Sequence, residues 1–417
     1  MQTVMMPQLS AGPPKPMIKP DFSLNWHTGR YSGVQGFSRT YDTSTRAGAG
    51  GVLEQVNANI LRTDHDPVTG EYLGAQIEGQ ATNLVANPTD ASSWSSTSAT
   101  VTDTTQTVGL FKKIKVASTG GDWNRVNAAF TTATAGDVFS VTYFIQAGSS
   151  AQARIIIRDS DAAVETYLYG SLSSGLSVVG EFAGTVSHLE QYTATDGIYV
   201  VKLQFTSANT TSTLSFGVGP NSTTSGEDIF VLGMQATQGT EPNSFVLLDS
   251  SSTTRYADML AVSQPDNLPQ FQSSLDGTYR IRFKAPKYWG NYLYALCVGD
   301  GTSNFLATRL TSGGNVEVVS FSSGSGTAFH SYGAPPADGW VTAVLQHDGS
   351  DLTSSVNGAS VQTTTCANGA SSVGTPQLDI GKAGNTNHLH GHVYQVDYWK
   401  KSNFTSQQLQ ELSAWAH

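Results

Sequence analysis

Residues 59 to 84, NILRTDHDPVTGEYLGAQIEGQATNL, bring together Asp64, His65, Asp66, Glu71 and Glu78. Such side chains can ligate a metal, form an acid–base pair or build a turn. A calcium loop of the EF-hand kind needs an Asp-x-Asp-x-Asp-Gly run closed by Glu, and this stretch has none. Asp66-Pro67 instead opens a turn, because proline presets φ at the second turn position. Gly70 can take the positive φ that closes it. NILRTDH and EYLGAQIE then read as the strands of a hairpin, with the acids as turn chemistry.

His388, His390 and His392 in HLHGH alternate and would share one face of a strand, a divalent-metal geometry. No local carboxylate or thiolate joins them, so a polar strand edge is the preferred reading. Asp300 and Asn304 in GDGTSN carry oxygen ligands suited to calcium; the alternative, preferred here, is an Asp-Gly turn. DSD at 159–161 has carboxylates two apart but lies at a strand end and reads as a turn. The Ser/Gly text SFSSGSG at 320–326 lacks the following helix that a nucleophile elbow requires. No Glu-x-Asp-x-x-Glu strand is present. A glycosidase needs two carboxylates flanking the bond, so the expectation is a protein without enzymatic activity.

Sugar recognition uses aromatic faces and a few polar groups that fix hydroxyls. Two clusters have those types. One is Tyr288, Trp289, Asn291 and Tyr292 in KYWGNYLY. The other is Trp123, Asn124 and Arg125 in GGDWNRVN. Both lie among glycines and polar residues; the competing reading for each aromatic is packing. Trp340 is assigned to the core.

Those groups must be positioned by strands. Charged residues are 13% of the chain, about half the usual share, and Gly numbers 42 of 417 residues. Short strands with polar turns fit such a composition better than long helices. The expected fold is all-β: two tandem β-sandwich (jelly-roll) domains after an extended N-terminal arm and a hairpin region. Residues 1–20, with five prolines, form the arm. Residues 21–86 form the hairpin region, 87–260 a first sandwich and 261–417 a second. NFTSQQLQELSAWA is the one convincing helix, with Thr405 and Gln408 at capping-box spacing. The formal charge of −10 and the lack of a Lys/Arg run exclude nucleic acid and anionic membrane as partners. The N-terminus lacks a basic region followed by an apolar stretch, so no secretory signal is expected. Cys297 and Cys366 read as buried thiols.

ANILR, DHDPVTGEYLGAQIEGQATNL and the Trp of SSW resemble the N-terminal part of a large group of bacteriophage head-spike and tail-fibre proteins. GTEPNSFVLLDSSSTTRYADML at 239–260 resembles the segment that closes their carbohydrate-module-like domain. The two cover residues 37 to 260. RTDHDP departs from the group, which usually has an aromatic before the Asp. GWVTAVLQHDGSDLTSSVNG and GHVYQVDYWKKSNFTSQQLQEL resemble a laminin-G or concanavalin-like jelly roll. The resemblance implies a virion surface protein, made in the host cytoplasm, that binds host-surface polysaccharide. Its arm would dock on other virion proteins of capsid or tail. It also implies a homo-oligomer, a trimer first. The alternatives are a polysaccharide depolymerase and a head-decoration protein with no ligand. No cofactor is required; calcium at Asp300 and Asn304 is the secondary expectation.

Overall fold

The computed structural model describes residues 19–26, 37–39, 44–209, 212–241, 243–247, 254–263, 275–300, 302–366, 377–384, 387–400 and 403–414. The arm expected at 1–20 falls almost wholly outside them. Every strand pairing among the described residues is antiparallel, and two sandwiches follow one another along the chain.

The central sandwich packs two six-stranded sheets face to face. One runs Gly184–Thr193, Tyr199–Ser207, Val138–Ala147, Asp228–Gln238, Phe111–Ser118, Ala99–Val108. The other runs Gly175–Glu181, Val164–Ser171, Gln152–Asp159, Ser212–Pro220, Arg125–Ala133, Ser95–Thr97. The period of two along a strand selects what is buried. Ile155 and Ile157 point into the core with Leu168, Phe205 and Phe216, all fully buried. Their neighbours Arg154 and Arg158 face outward, only partly buried. DSD at 159–161 is the expected turn: Asp159 accepts from the backbone N–H of Asp161 (3.0 Å) and Ala162 (3.1 Å).

The C-terminal sandwich is where the domain expectation needs correction. Its larger sheet includes Trp340–His347, Gly277–Lys284 and Gly391–Trp399, then continues into Tyr72–Ile77 and Thr63–His65. Phe22–Asn25 pairs with Gly391–Trp399 as well. In the facing sheet, Phe37–Ser38 pairs with Met259–Ser263. Residues 21–86 are therefore no separate region. Their described strands Phe22–Asn25, Phe37–Ser38, Thr63–His65 and Tyr72–Ile77 extend both sheets of the second sandwich, with Leu24, Trp26, Ala75 and Ile77 in its core, while Val85 packs in the central one. An antiparallel strand does not choose its partner by proximity in sequence, so local pattern leaves such pairings open.

The hairpin itself matches expectation. Asp66 accepts from the backbone N–H of Val68 and Thr69, both at 2.9 Å, and Gly70 has φ of 72°. The helix Ser406–Ser413 carries the Thr405/Gln408 capping box. Both cysteines are free and buried. Trp340 differs: it is half-buried, edge-on to Tyr394 at 5.7 Å and beneath the Arg282 guanidinium at 4.9 Å.

A buried ion network ties these parts together. Arg39, Arg62 and Arg255 meet Glu78 and Asp258, all with side chains at most 3% exposed. Arg62 Nη2 reaches Glu78 Oε2 at 2.7 Å and also pairs with Asp258. Arg39 Nη1 donates to Asp258 Oδ1 at 3.2 Å. Arg255 Nη1 lies 3.5 Å from Glu78 Oε2. Ser244 Oγ donates to Glu78 Oε2 at 2.6 Å. Burial raises the Glu78 pKa, but Arg255 and Arg62 outweigh it and hold the carboxyl well below the usual carboxylate range.

Removing one member of such a cluster strands uncompensated charge, at about 3–5 kcal/mol. Asp258→Asn is expected to lose that much in denaturant unfolding; a loss under about 1 kcal/mol would contradict the network's role. His388, buried near Arg255, has its pKa lowered to about 4, by burial first and then by His390. Its folded-state value lies below the ordinary 6.5. Its contribution is therefore complete above about pH 6.5 and disappears as the pH falls toward 4. Stability should drop across that window by on the order of 3 kcal/mol, and His388→Gln should flatten the drop.

Candidate functional site

Trp123 stands on the loop between Phe111–Ser118 and Arg125–Ala133, at one end of the central sandwich. Its φ is +64°, the left-handed region that costs a bulky L-residue about 1–2 kcal/mol. Its side chain is 36% exposed, so core burial does not offset that cost. The conformation is held by its neighbours. Arg125 Nη1 donates to the Trp123 carbonyl at 3.0 Å. Asn124 Nδ2 donates to the carbonyls of Gly121 (2.6 Å) and Ser222 (2.5 Å). Both side chains are buried. Asn124 and Arg125 thus position Trp123, and only Trp123 of the three expected residues offers a free surface.

The ring belongs to a larger platform. Arg154 on Gln152–Asp159 places its guanidinium 4.8 Å from the Trp123 ring centroid and 5.8 Å from that of Tyr169. Tyr169, 38% exposed, is the direct cross-strand partner of Arg154. Tyr167 meets Trp123 edge-on at 5.1 Å. Asn221 accepts from Arg154 Nη2 at 2.5 Å. Asp122, Arg154, Asn221, Ser222 and Thr223 border an adjoining hollow of about 270 Å³. Gly217 and Gly219 keep the sheet face low beside it. A Cβ on Gly219 would lie 2.1 Å from the Asn124 carbonyl oxygen, and one on Gly217 3.1 Å from the Arg125 side chain. The result is an exposed aromatic surface flanked by a guanidinium, an amide and hydroxyls. It can stack on a flat apolar ring face and hydrogen-bond its edge.

Arg154, Tyr167 and Tyr169 are not singled out by residue type alone. The signal was present as alternation: Arg154 and Arg158 outward in QARIIIRD, Tyr167 and Tyr169 outward in VETYLYGS. The register that joins them was not.

The KYWGNYLY cluster is put to another use. Tyr288 is buried and stacks on His188 of the central sandwich at 4.9 Å and 11°. Lys287 Nζ donates to Glu190 Oε1 at 2.6 Å, and Asn291 Nδ2 to Glu241 Oε1 at 2.8 Å. Trp289 Nε1 donates to the Thr311 carbonyl at 2.6 Å. Tyr292, 44% exposed, lies under the Arg309 guanidinium at 4.4 Å. Lys287, Tyr288 and Asn291 clamp one sandwich to the other, and Trp289 packs on the C-terminal core. The structure does not bring this cluster to the Trp123 platform.

The three histidines do not share a face. His390 has φ of 50°, His388 is buried, and only His392 lies in a strand, with Nε2 2.7 Å from Asp64 Oδ2. Among the described residues no group of three His, Cys, Asp or Glu is arranged to hold a metal. Asp300 is engaged as a turn: Oδ1 accepts from the backbone N–H of Thr302, Ser303 and Asn304 at 2.7–2.9 Å. Burial raises its pKa, but these donors outweigh it and bring the carboxyl to about 2. Asn304 Oδ1 accepts from Ser323 N–H at 2.9 Å. SFSSGSG is a hairpin turn between Val316–Ser322 and Ser325–Ser331, with no elbow.

With this geometry in view, the fold class is an all-β protein of tandem antiparallel sandwiches. The sequence matches no protein-family model and no curated protein. Solved structures with similar shape include the CBM40 module of the Ruminococcus gnavus IT-sialidase, at 14% identity and TM-score 0.31, covering 37% of this chain and 92% of that one. Mouse laminin α1 domains LG4-5 align at 13% identity and TM-score 0.25, over 80% of this chain and 94% of that one. A heptameric SAP-like pentraxin from Limulus polyphemus aligns at 14% identity and TM-score 0.25, over 34% and 73%. At these scores the likeness carries no argument about ligand or activity.

Because the Asp300 oxygens are already engaged by the protein, excess calcium is expected to leave the melting temperature unchanged. A calcium-dependent rise that Asp300→Asn removes would contradict the turn assignment.

Proposed function

We propose that this protein is a glycan-binding adhesin and that the Trp123 platform is its contact surface. The observation that carries the reading is the backbone of Trp123. A left-handed tryptophan, 36% exposed and set by the buried Asn124 and Arg125, stands beside an arginine and two tyrosines. Strain of this kind concentrates where a ligand is met. An aromatic plane with flanking donors and acceptors suits a sugar ring.

The setting is a bacteriophage virion surface. Support comes from the resemblance of residues 37 to 260 to head-spike and tail-fibre proteins. In that setting residues 1–20 dock on capsid or tail proteins, the chain assembles as a trimer, and the ligand is host-surface polysaccharide. Many copies on one particle turn weak single contacts into firm attachment, because the first contact raises the effective concentration for the next. In this reading the platform binds and does not cleave. The decoration alternative has no use for an exposed strained tryptophan.

The test is a titration of the purified protein with bacterial surface polysaccharides, following heat and released reducing ends in one sample. Trp123→Ala is expected to cost about 2 kcal/mol or more of binding, roughly 30-fold in Kd, with no new reducing ends for either protein. Trp123→Gly relieves the backbone strain and should unfold no earlier than the parent while binding as poorly. Binding unaffected by both substitutions would refute the platform; new reducing ends would make the protein a depolymerase.

A further inference from the structure

A cleft lies on the other side of the central sandwich. Its volume is about 420 Å³, within the range of about 300–1,000 Å³ over which proteins hold small ligands. Besides residues 45–47, 51, 53, 243–245 and 390–392, three parts of the chain wall it. The Asp66 turn supplies one. The outer face of the sheet containing Gly184–Thr193 and Tyr199–Ser207 supplies the second, and the segment from Lys284 to Tyr288 the third. The cleft borders the sheet opposite to the one that carries Arg154 and Tyr169, so it is separate from the Trp123 platform.

We propose that this cleft is a second ligand site, and that it takes one or two units of a neutral sugar. Its chemistry points that way in three respects. First, charge is balanced. Arg46, Lys202, Lys284 and Lys287 stand against Asp64, Asp66, Glu78, Glu190 and Asp196, and Glu78 is already neutralised by Arg62 and Arg255. Lys287 is joined to Glu190 at 2.6 Å. Asp64 is paired with His392 at 2.7 Å. No surplus of either sign selects an ion. Second, donors and ionised acceptors line one volume, which suits a ligand whose hydroxyls do both. Third, Tyr192 provides an aromatic wall, with the Lys202 ammonium 5.6 Å from its ring centroid.

The same groups argue for binding without hydrolysis. A glycosidase requires one carboxylic acid that stays protonated. Burial raises the Glu190 pKa, but Lys202 and Lys287 outweigh it and leave the group below its ordinary range. Burial likewise raises Asp66, and the backbone N–H groups of Thr69 and Val68 outweigh it. Both acids remain ionised acceptors at neutral pH. A sugar held here would touch all three walls and so stiffen the junction between the sandwiches.

The experiment uses the full chain carrying Trp123→Ala, so that the platform does not contribute. Saturation-transfer NMR is recorded with glucose, galactose, N-acetylglucosamine and lactose. At least one sugar is expected to receive saturation. Glu190→Gln, or Lys287→Ala on its 71% exposed side chain, should each reduce the signal at least five-fold. Melting curves confirm that both variants remain folded. A signal present in the parent but absent with Trp123→Ala overturns the cleft and leaves the platform standing. A signal that persists unchanged in both cleft variants overturns it too, as does silence in every protein with every sugar.

Discussion

Three guanidinium groups and two carboxylates share one dry space between the two sandwiches, and the rest of the molecule is arranged around keeping them paired. Taking a charge out of water is costly unless geometry and hydrogen bonds restore what is lost. Here Arg62 alone donates to Thr45 O, Gln76 Oε1 and Ser244 Oγ besides its two acids. Arg39 adds the carbonyls of Val56 and Asn57. These partners come from five stretches of chain, around Thr45, Val56–Asn57, Gln76–Glu78, Ser244 and Asp258. The network therefore forms only when the hairpin strands, the 243–247 segment and the 254–258 segment are all in place.

That requirement explains the answer to the acidic stretch at 59–84. Its acids divide by depth. Glu78 goes inward to the network, Asp64 is shared with His392, and Asp66 closes the turn at the surface. The segments before and after the central sandwich are in contact through Glu78, Arg255 and Asp258. They are two halves of one joint.

Much of this was legible from residue order and some was not. Strand content, the Asp66 and Asp159 turns and the capped terminal helix are local, and local chemistry determines them. The partner of Phe22–Asn25 lies some 370 positions away, and alternation carries no information about which strand it will meet. The same limit hid the platform: Arg154 and Tyr169 are visible as outward residues, but only the register makes them neighbours. KYWGNYLY shows the converse failure. Aromatic residues among glycines can mark an exposed surface or a tight junction, and here the glycine allows contact, since a Cβ on Gly290 would lie 2.7 Å from Thr240 Oγ1. Trp340 opens a core strand as expected, yet its ring lies against the outward-facing Arg282 and Tyr394 instead of in the core.

The acidic stretch is architecture, and the proposed recognition surface is a left-handed tryptophan on a loop beside the sheet that carries Arg154. Hydrogen exchange of the full protein, with and without a polysaccharide that it binds, separates those roles most directly. New protection is expected at residues 119–125, in the loop 221–226 and along Val164–Ser171, the segments that carry or support the Trp123 platform. Protection confined to KYWGNYLY or to the C-terminal sandwich, with none around Trp123, would contradict the account.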